Sequence, residues 1–322
     1  MKFRTATRAL VGALLIAMAS APVSAPAQLG GLGGLGDKLK KKLPGNPLEG
    51  KPPITTSLED AKWGDPSKDG VTPREGKRSL MTLQRTPNGG FVLQPGYYSM
   101  AAQSYCLKAG THGPGGGDGY LYAPPKGPAE DAVMTIVRNS VNRPDIHQHK
   151  IQTLLWAIIA RAKFEDLSSE HKAVATQLLT PRQLASLNRS ALDMIPGPAM
   201  SRLMGEMPAP LRAIAQAEAD LRRMLTTPGA TFAEMERVAV LAGAAPMGAG
   251  SQQVPSGRWS LHPDGYYVRY LPSGYSNTTI EVWVPQGSPS VGKEFDPAAH
   301  VAVPGNTSRQ RLIQSGRSQQ QS

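Results

Sequence analysis

The sequence predicts an α+β protein: a mainly helical central domain, a glycine-rich, β-containing N-terminal part ahead of it, and a small C-terminal antiparallel β-meander. Three observations predict this. Apolar residues recur at three-to-four spacing through much of residues 130–241. Residues 91–124 are rich instead in Gly, Tyr and Pro. From Gly257 to Pro285, aromatic and β-branched residues alternate with polar ones around Asp264-Gly265 and Ser273-Gly274, the pattern of strands joined by tight turns. A chain of 322 residues, 40% hydrophobic and 18% charged, has the length and apolar content for a sizeable core.

The first 27 residues have the layout of a secretory signal peptide. Lys2, Arg4 and Arg8 precede the short apolar run Ala9 to Met18, and Ala25-Pro26-Ala27 offers small residues for cleavage after Ala27. The run is too short for a permanent span, so no integral membrane span is expected after cleavage. This predicts an exported protein of the periplasm, cell surface or extracellular space. Residues 28–78 read as a linker rich in Gly, Lys and Pro. The Leu-Gly repeats at 29–36 lack core-forming side chains, and Lys38, Lys40, Lys41 and Lys42 form a positive cluster.

The central domain is expected over 79–245. Strand-like pieces lie at Phe91–Leu93, Tyr97–Met100 and Tyr120–Tyr122, with the Thr111–Tyr120 stretch a glycine-rich loop. A helix then starts at Glu130 and Asp131 after Pro128, its apolar side made by Val133, Ile136, Val137 and Val141, and Pro144 ends it. A second, centrally packed helix runs from about Ile146 to Phe164 through Ile151, Leu154, Leu155, Ile158, Ile159 and Ala162. More helices follow near 169–179, 181–188, 209–226 and 231–241. Thr180-Pro181 opens one, and the Thr231-to-Glu234 capping box opens the last. The meander belongs to a small β domain at 246–303, and the polar stretch 304–322 reads as a disordered tail.

Charge narrows the partners. Lys and Arg outnumber Asp and Glu 35 to 24, a net charge of +11, which remains positive after loss of the first 27 residues. That favours acidic envelope components: a surface polysaccharide or protein. It is too diffuse for a specific nucleic-acid site. One cysteine excludes a disulfide framework. No metal site and no cofactor are expected, because Asp118, Asp264 and the His147/His149 pair each lack further ligands at close spacing. Trp259, Tyr267 and Tyr270 in the meander offer rings for stacking on sugars, or alternatively the core of the small sheet.

Cys106 carries the sharpest chemistry. An unpaired thiol in an exported protein is a buried apolar group, a nucleophile or one half of a cross-link. As a nucleophile, in a hydrolase or acyltransferase, it would need His112, His147 or His149 as base. For the cross-link, Tyr105-Cys106-Leu107 is followed 46 residues later by Ile151-Gln152-Thr153-Leu154-Leu155-Trp156. This resembles the thioester domains of bacterial surface adhesins, in which a cysteine after a tyrosine bonds to the glutamine of a Thr-Gln-x-Ala-Ile/Val-Trp motif. Gln152 and Trp156 keep the spacing and Leu155 the aliphatic position, whereas Ile151 replaces the threonine and Leu154 the alanine. The gap between the two motifs is also shorter than usual. The resemblance covers residues 91–165. It implies a Cys106–Gln152 thioester that captures a surface amine or hydroxyl covalently, with Tyr105 and Trp156 shielding the bond. Three functions follow as expectations: an adhesin-like binder, a cysteine–histidine hydrolase or acyltransferase, and a structural or assembly factor of the envelope.

Overall fold

A computed structural model describes residues 52–191 except 55–56 and 62–63, residues 201, 204–205 and 207, and residues 209–318. The signal-peptide and Leu-Gly/Lys readings lie outside these residues, as does the very end of the chain. In chain order the strands are β1 (Arg78–Ser79), β2 (Phe91–Val92), β3 (Gly96–Cys106), β4 (Thr111–His112), β5 (Tyr120–Ala123) and β6 (Val240–Leu241). They continue with β7 (Ser260–Leu261), β8 (Tyr267–Pro272), β9 (Asn277–Val284), β10 (Glu294–Phe295), β11 (Val301–Pro304) and β12 (Leu312–Ser318). The helices are α1 (Glu130–Asn139), α2 (Gln148–Ile159), α3 (Ser169–Leu178), α4 (Pro181–Ser190), α5 (Ala209–Thr226) and α6 (Phe232–Ala239).

The architecture is α+β, but it is not mainly helical, which corrects the expectation for the central domain. Its centre is a sheet in the order β5-β11-β12-β3-β9-β8-β7, with β1 parallel to β3. All other neighbours are antiparallel, and β5 approaches β8, so the sheet curls nearly into a barrel. The C-terminal meander is no separate unit. β9 pairs along β3 from Gly96 opposite Val284 to Gln103 opposite Asn277. The supposed tail supplies β12, which lies between β3 and β11.

Strand alternation sorts the core. Tyr98, Met100, Ala102, Cys106, Tyr120, Tyr122, Val268, Tyr270, Ile280, Val282, Ala302 and Leu312 fill the barrel interior. Their neighbours Tyr105, Leu107, Leu121, Val301, Val303 and Ile313 face outward and are covered by α1, α2 and α3. Helix α2 is buried nearly all round. Ile151, Leu154, Leu155 and Ile158 pack toward the barrel, and Trp156, Ala157 and Ile159 pack toward α5 and α6. Thr180 and Thr231 cap α4 and α6 as their sequences predict, and at Thr180 the Gln183 side chain completes a capping box as Glu234 does at Thr231. Gly110 (φ 65°) seats the exit of β3 on α5; a Cβ there would stand 2.7 Å from the Ala213 carbonyl oxygen.

The barrel interior holds hydroxyls without protein partners, among them Tyr120 Oη and Tyr270 Oη. An unpaired buried hydroxyl costs about 1–3 kcal/mol. Tyr270→Phe is therefore expected to leave the urea midpoint unchanged or raise it, by up to about 1 kcal/mol in stability. A clear loss of stability would show that the hydroxyl is hydrogen-bonded, for example to internal water.

Candidate functional site

The site forms where β3 outruns its neighbour. β9 pairs with β3 only as far as Gln103, after which Ser104 N–H donates to Ser276 O (2.9 Å). The edge of β3 beyond that point would be left with unpaired peptide groups in a dry core. Two glutamines one turn apart on α2 satisfy it. Gln148 Nε2 donates to Ser104 O (3.1 Å) and Ser276 O (2.8 Å). Gln152 clamps Cys106: its Oε1 accepts the Cys106 N–H (2.7 Å), and its Nε2 donates to the Cys106 carbonyl (3.2 Å). Cys106 is 0% exposed and Gln152 2%. The residues that the sequence pairs at a distance of 46 positions are thus in direct contact.

Other elements close over this pair. Ser104 Oγ donates to Tyr275 O (2.7 Å) at the tip of the β8–β9 hairpin, and the Tyr275 hydroxyl donates to the Glu236 carboxylate on α6. The Tyr275 ring packs against the interior cluster that contains Cys106. On the other flank His149 stacks on Phe232 at 3.8 Å, and Phe232 stacks on Trp156 at 5.4 Å. Burial pushes the Cys106 thiol well above its ordinary value, and the Glu236 carboxylate pushes it further, so the resting group is a neutral thiol. Burial lowers His149, and the neighbouring His147 adds to this.

The three histidines are not arranged as a base for Cys106. His147 caps α2, its Nδ1 accepting from His149 N–H (3.2 Å), and His149 is held face to face by Phe232. His112 lies on β4, which pairs with β6, and its buried Nδ1 has no partner. Among the described residues, no hydrogen bond joins the Cys106 thiol to a histidine. Tyr105 is fully buried on the outward side of β3, its hydroxyl donating to Gln103 Oε1 (3.0 Å), with burial pushing the phenol up to about 12. Trp156 is also fully buried, and its Nε1 has no partner.

The aromatic residues of the meander need correction. Trp259 is buried, donates Nε1 to Val71 O (3.1 Å) and carries the Arg269 guanidinium on its face. Tyr270 is inside the barrel. Neither can meet a sugar. Tyr267 is half-buried on the outer wall, but Trp283 stacks against it at 5.1 Å and the Lys68 ammonium lies 5.9 Å from its ring. These rings serve packing because alternation turns successive aromatic residues to opposite faces of a covered sheet.

Sequence reasoning missed Gln148, Ser104, Tyr275 and Glu236. Gln148 was visible as a second glutamine four residues before Gln152; the other three come together only through the strand pairing. Among the described residues, no three His, Cys, Asp or Glu side chains gather to hold a metal ion, and no helix is long and apolar enough to cross a membrane. Compared with known proteins, the chain matches no family model, no curated protein and no solved structure. The likeness to thioester domains therefore rests on the sequence motifs around Cys106 and Gln152 alone.

Proposed function

We propose that the chain is an exported bacterial surface-binding protein in which Cys106 and Gln152 form an internal thioester for covalent capture of an amine or hydroxyl. The observation that supports this most is the two-point clamp between Gln152 and Cys106 in a site closed to water. The Cys106 N–H already donates to the oxygen that becomes negative when Sγ attacks Gln152 Cδ, the role of an oxyanion donor. The Sγ–Cδ bond forms, the Cδ–Nε2 bond breaks, and the nitrogen leaves as ammonia carrying the thiol proton. Sγ packs on the interior side of β3, so rotation about the Cys106 Cα–Cβ bond must bring it to the strand edge. An incoming amine or hydroxyl then takes the acyl group and releases the thiol. Basic net charge favours acidic surface polymers or proteins as the place of capture.

A second reading has one observation in its favour. Gln148 covers the same strand edge one turn earlier with no cysteine involved, so Gln152 can equally be a structural stitch in an envelope assembly factor. The intact mass of the exported protein separates the two. The thioester predicts a mass lower by one ammonia, conversion to an amide adduct at Gln152 with methylamine, and neither effect in Cys106→Ala. A full mass that methylamine leaves unchanged would overturn it. The cysteine–histidine reading has no such observation in its favour, since among the described residues no hydrogen bond joins the Cys106 thiol to an imidazole.

A further inference from the structure

Arg85 and Arg317 line one pocket of about 440 Å³, together with Gln103 from β3 and His147 and Gln148 from the start of α2. No carboxylate lines it among the described residues. Arg85 is held in place there: its guanidinium lies on the Phe91 ring at 4.4 Å, and its Nη2 donates to Gly316 O (2.9 Å). Its Nη1 is buried without a partner among the described residues, the kind of orphan that an anion or a water satisfies. Burial lowers this guanidinium from its ordinary value, and no carboxylate offsets the effect. Arg317 donates Nη1 to Ile146 O (3.1 Å). The carboxylate that senses Arg317, Asp145, is already held through both oxygens by Arg143 (2.9 and 2.6 Å). The pocket therefore carries two guanidiniums whose charge the surrounding chain leaves open.

The rest of the wall suits an acidic sugar better than a bare anion. His147 Nδ1 accepts the His149 N–H, so the neutral ring carries its proton on Nε2 and can donate it. Gln103 Oε1 accepts the Tyr105 hydroxyl, while its Nε2 donates to no described residue. Gln148 uses Nε2 on β3 and keeps Oε1 as an acceptor. Val141 and Pro144 add apolar surface for the C–H face of a ring. A phosphate would use the guanidiniums alone, and an acidic peptide side chain would leave these amides without partners. We propose that this pocket binds a uronate residue of an acidic polysaccharide, its carboxylate on Arg85 and Arg317 and its hydroxyls on Gln103, His147 and Gln148. A guanidinium matches a carboxylate as a planar fork, which fixes orientation as well as charge. The inference deepens the surface-binding reading above by naming its target, and it does not need the thioester. Gln148 lies one helical turn, roughly 6 Å, before Gln152, so a polymer held here lies beside the capture site.

The test is calorimetric titration of the full chain with tetragalacturonate, maltotetraose, inorganic phosphate and a tetraglutamate peptide. Tetragalacturonate is expected to bind at least about tenfold more tightly than each of the others. Arg85→Gln and Arg317→Gln should each weaken it about tenfold, and Arg85→Lys should not restore it, because lysine lacks the fork. His147→Asn keeps a good helix cap while removing the ring, with a loss of about threefold. Arg85 also packs on Phe91, so if its variants show a lowered thermal midpoint, Arg317→Gln decides the matter. Equal binding of maltotetraose, or no binding of tetragalacturonate, would overturn the proposal. Tightest binding by phosphate or by tetraglutamate would overturn the sugar as occupant, and wild-type affinity in Arg317→Gln would overturn the site. Cys106→Ala should bind tetragalacturonate as the wild type does, so a missing thioester, seen by intact mass, and a missing uronate site are separate results.

Discussion

Acidification from pH 7 to pH 4 is expected to remove on the order of 5 kcal/mol of stability, mainly through His262 and His300. The two rings lie 5.0 Å apart beside Tyr122 and Tyr266. His300 is fully engaged as a neutral imidazole: Nε2 meets the Tyr266 hydroxyl (2.8 Å) and Nδ1 meets the Asp296 carbonyl (2.6 Å). Burial, reinforced by His262, lowers His300 from 6.5 to about 3; burial lowers His262 to about 4 despite Asp264. The sign follows from proton counts. Below pH 6.5 the unfolded chain protonates both rings while the folded chain holds them neutral, so stability is full above 6.5 and drains as pH falls toward 4. Each pH unit costs about 1.4 kcal/mol per titrating ring, and mutual repulsion keeps the pair below simple addition. Glu281 works in a lower window. Burial raises it, but hydrogen bonds from Tyr97 and Arg269 outweigh that and hold it below the ordinary 4.5, so its contribution is lost at more acid pH. Urea unfolding at pH 7, 5.5 and 4.5 checks the prediction against His262→Phe, which keeps the stack on Tyr266 without a titrating ring. The variant should lose roughly half the pH slope; an unchanged slope would remove His262 as its source.

The helices were legible because their apolar spacing is local. The periodicity from Ile151 to Ile159 marks α2, and the pairs Thr180/Pro181 and Thr231/Glu234 mark two helix starts by chemistry within four residues. The sheet was not legible because its pairings are distant. β3 unites the 96–106, 277–284 and 312–318 segments, and nothing local in Leu312–Ser318 announces a strand between two others. That strand is polar because Gln314 and Ser315 are buried with side-chain partners, Leu312 O and Gln103 O respectively, rather than exposed. The same division applies to the site. Cys106 and Gln152 were visible as a spaced motif on single elements. Glu236 and Tyr275 join them only once the hairpin tip and α6 meet, which depends on the closure of the sheet.

Methylamine is expected to destabilise the folded protein if the thioester exists. That bond would join β3 to α2, whose Cys106 and Gln152 are already in hydrogen-bond contact, and close a loop of 46 residues. Loop-closure entropy assigns such a cross-link about 4 kcal/mol. Opening it should therefore lower the thermal midpoint by on the order of 10 °C in a domain of this size. An N-methylated Gln152 amide retains its oxygen to accept the Cys106 N–H, but its trans form puts the methyl group on the edge that faces the Cys106 carbonyl, so the second hydrogen bond is lost with the link. The lost stability then reports the covalent link together with one buried hydrogen bond. Cys106→Ala should show a similar drop, with a small further loss from the cavity left beside Tyr120 and Leu312. Gln152→Leu should fall further still, because it removes the link and also leaves the Cys106 N–H and C=O unpaired in the core. If Gln152 only stitches a strand edge, the order changes: methylamine has no effect, Cys106→Ala costs little, and Gln152→Leu alone is severe. The thermal midpoints of these four samples thus distinguish a covalent capture site from a structural seam without knowledge of the ligand.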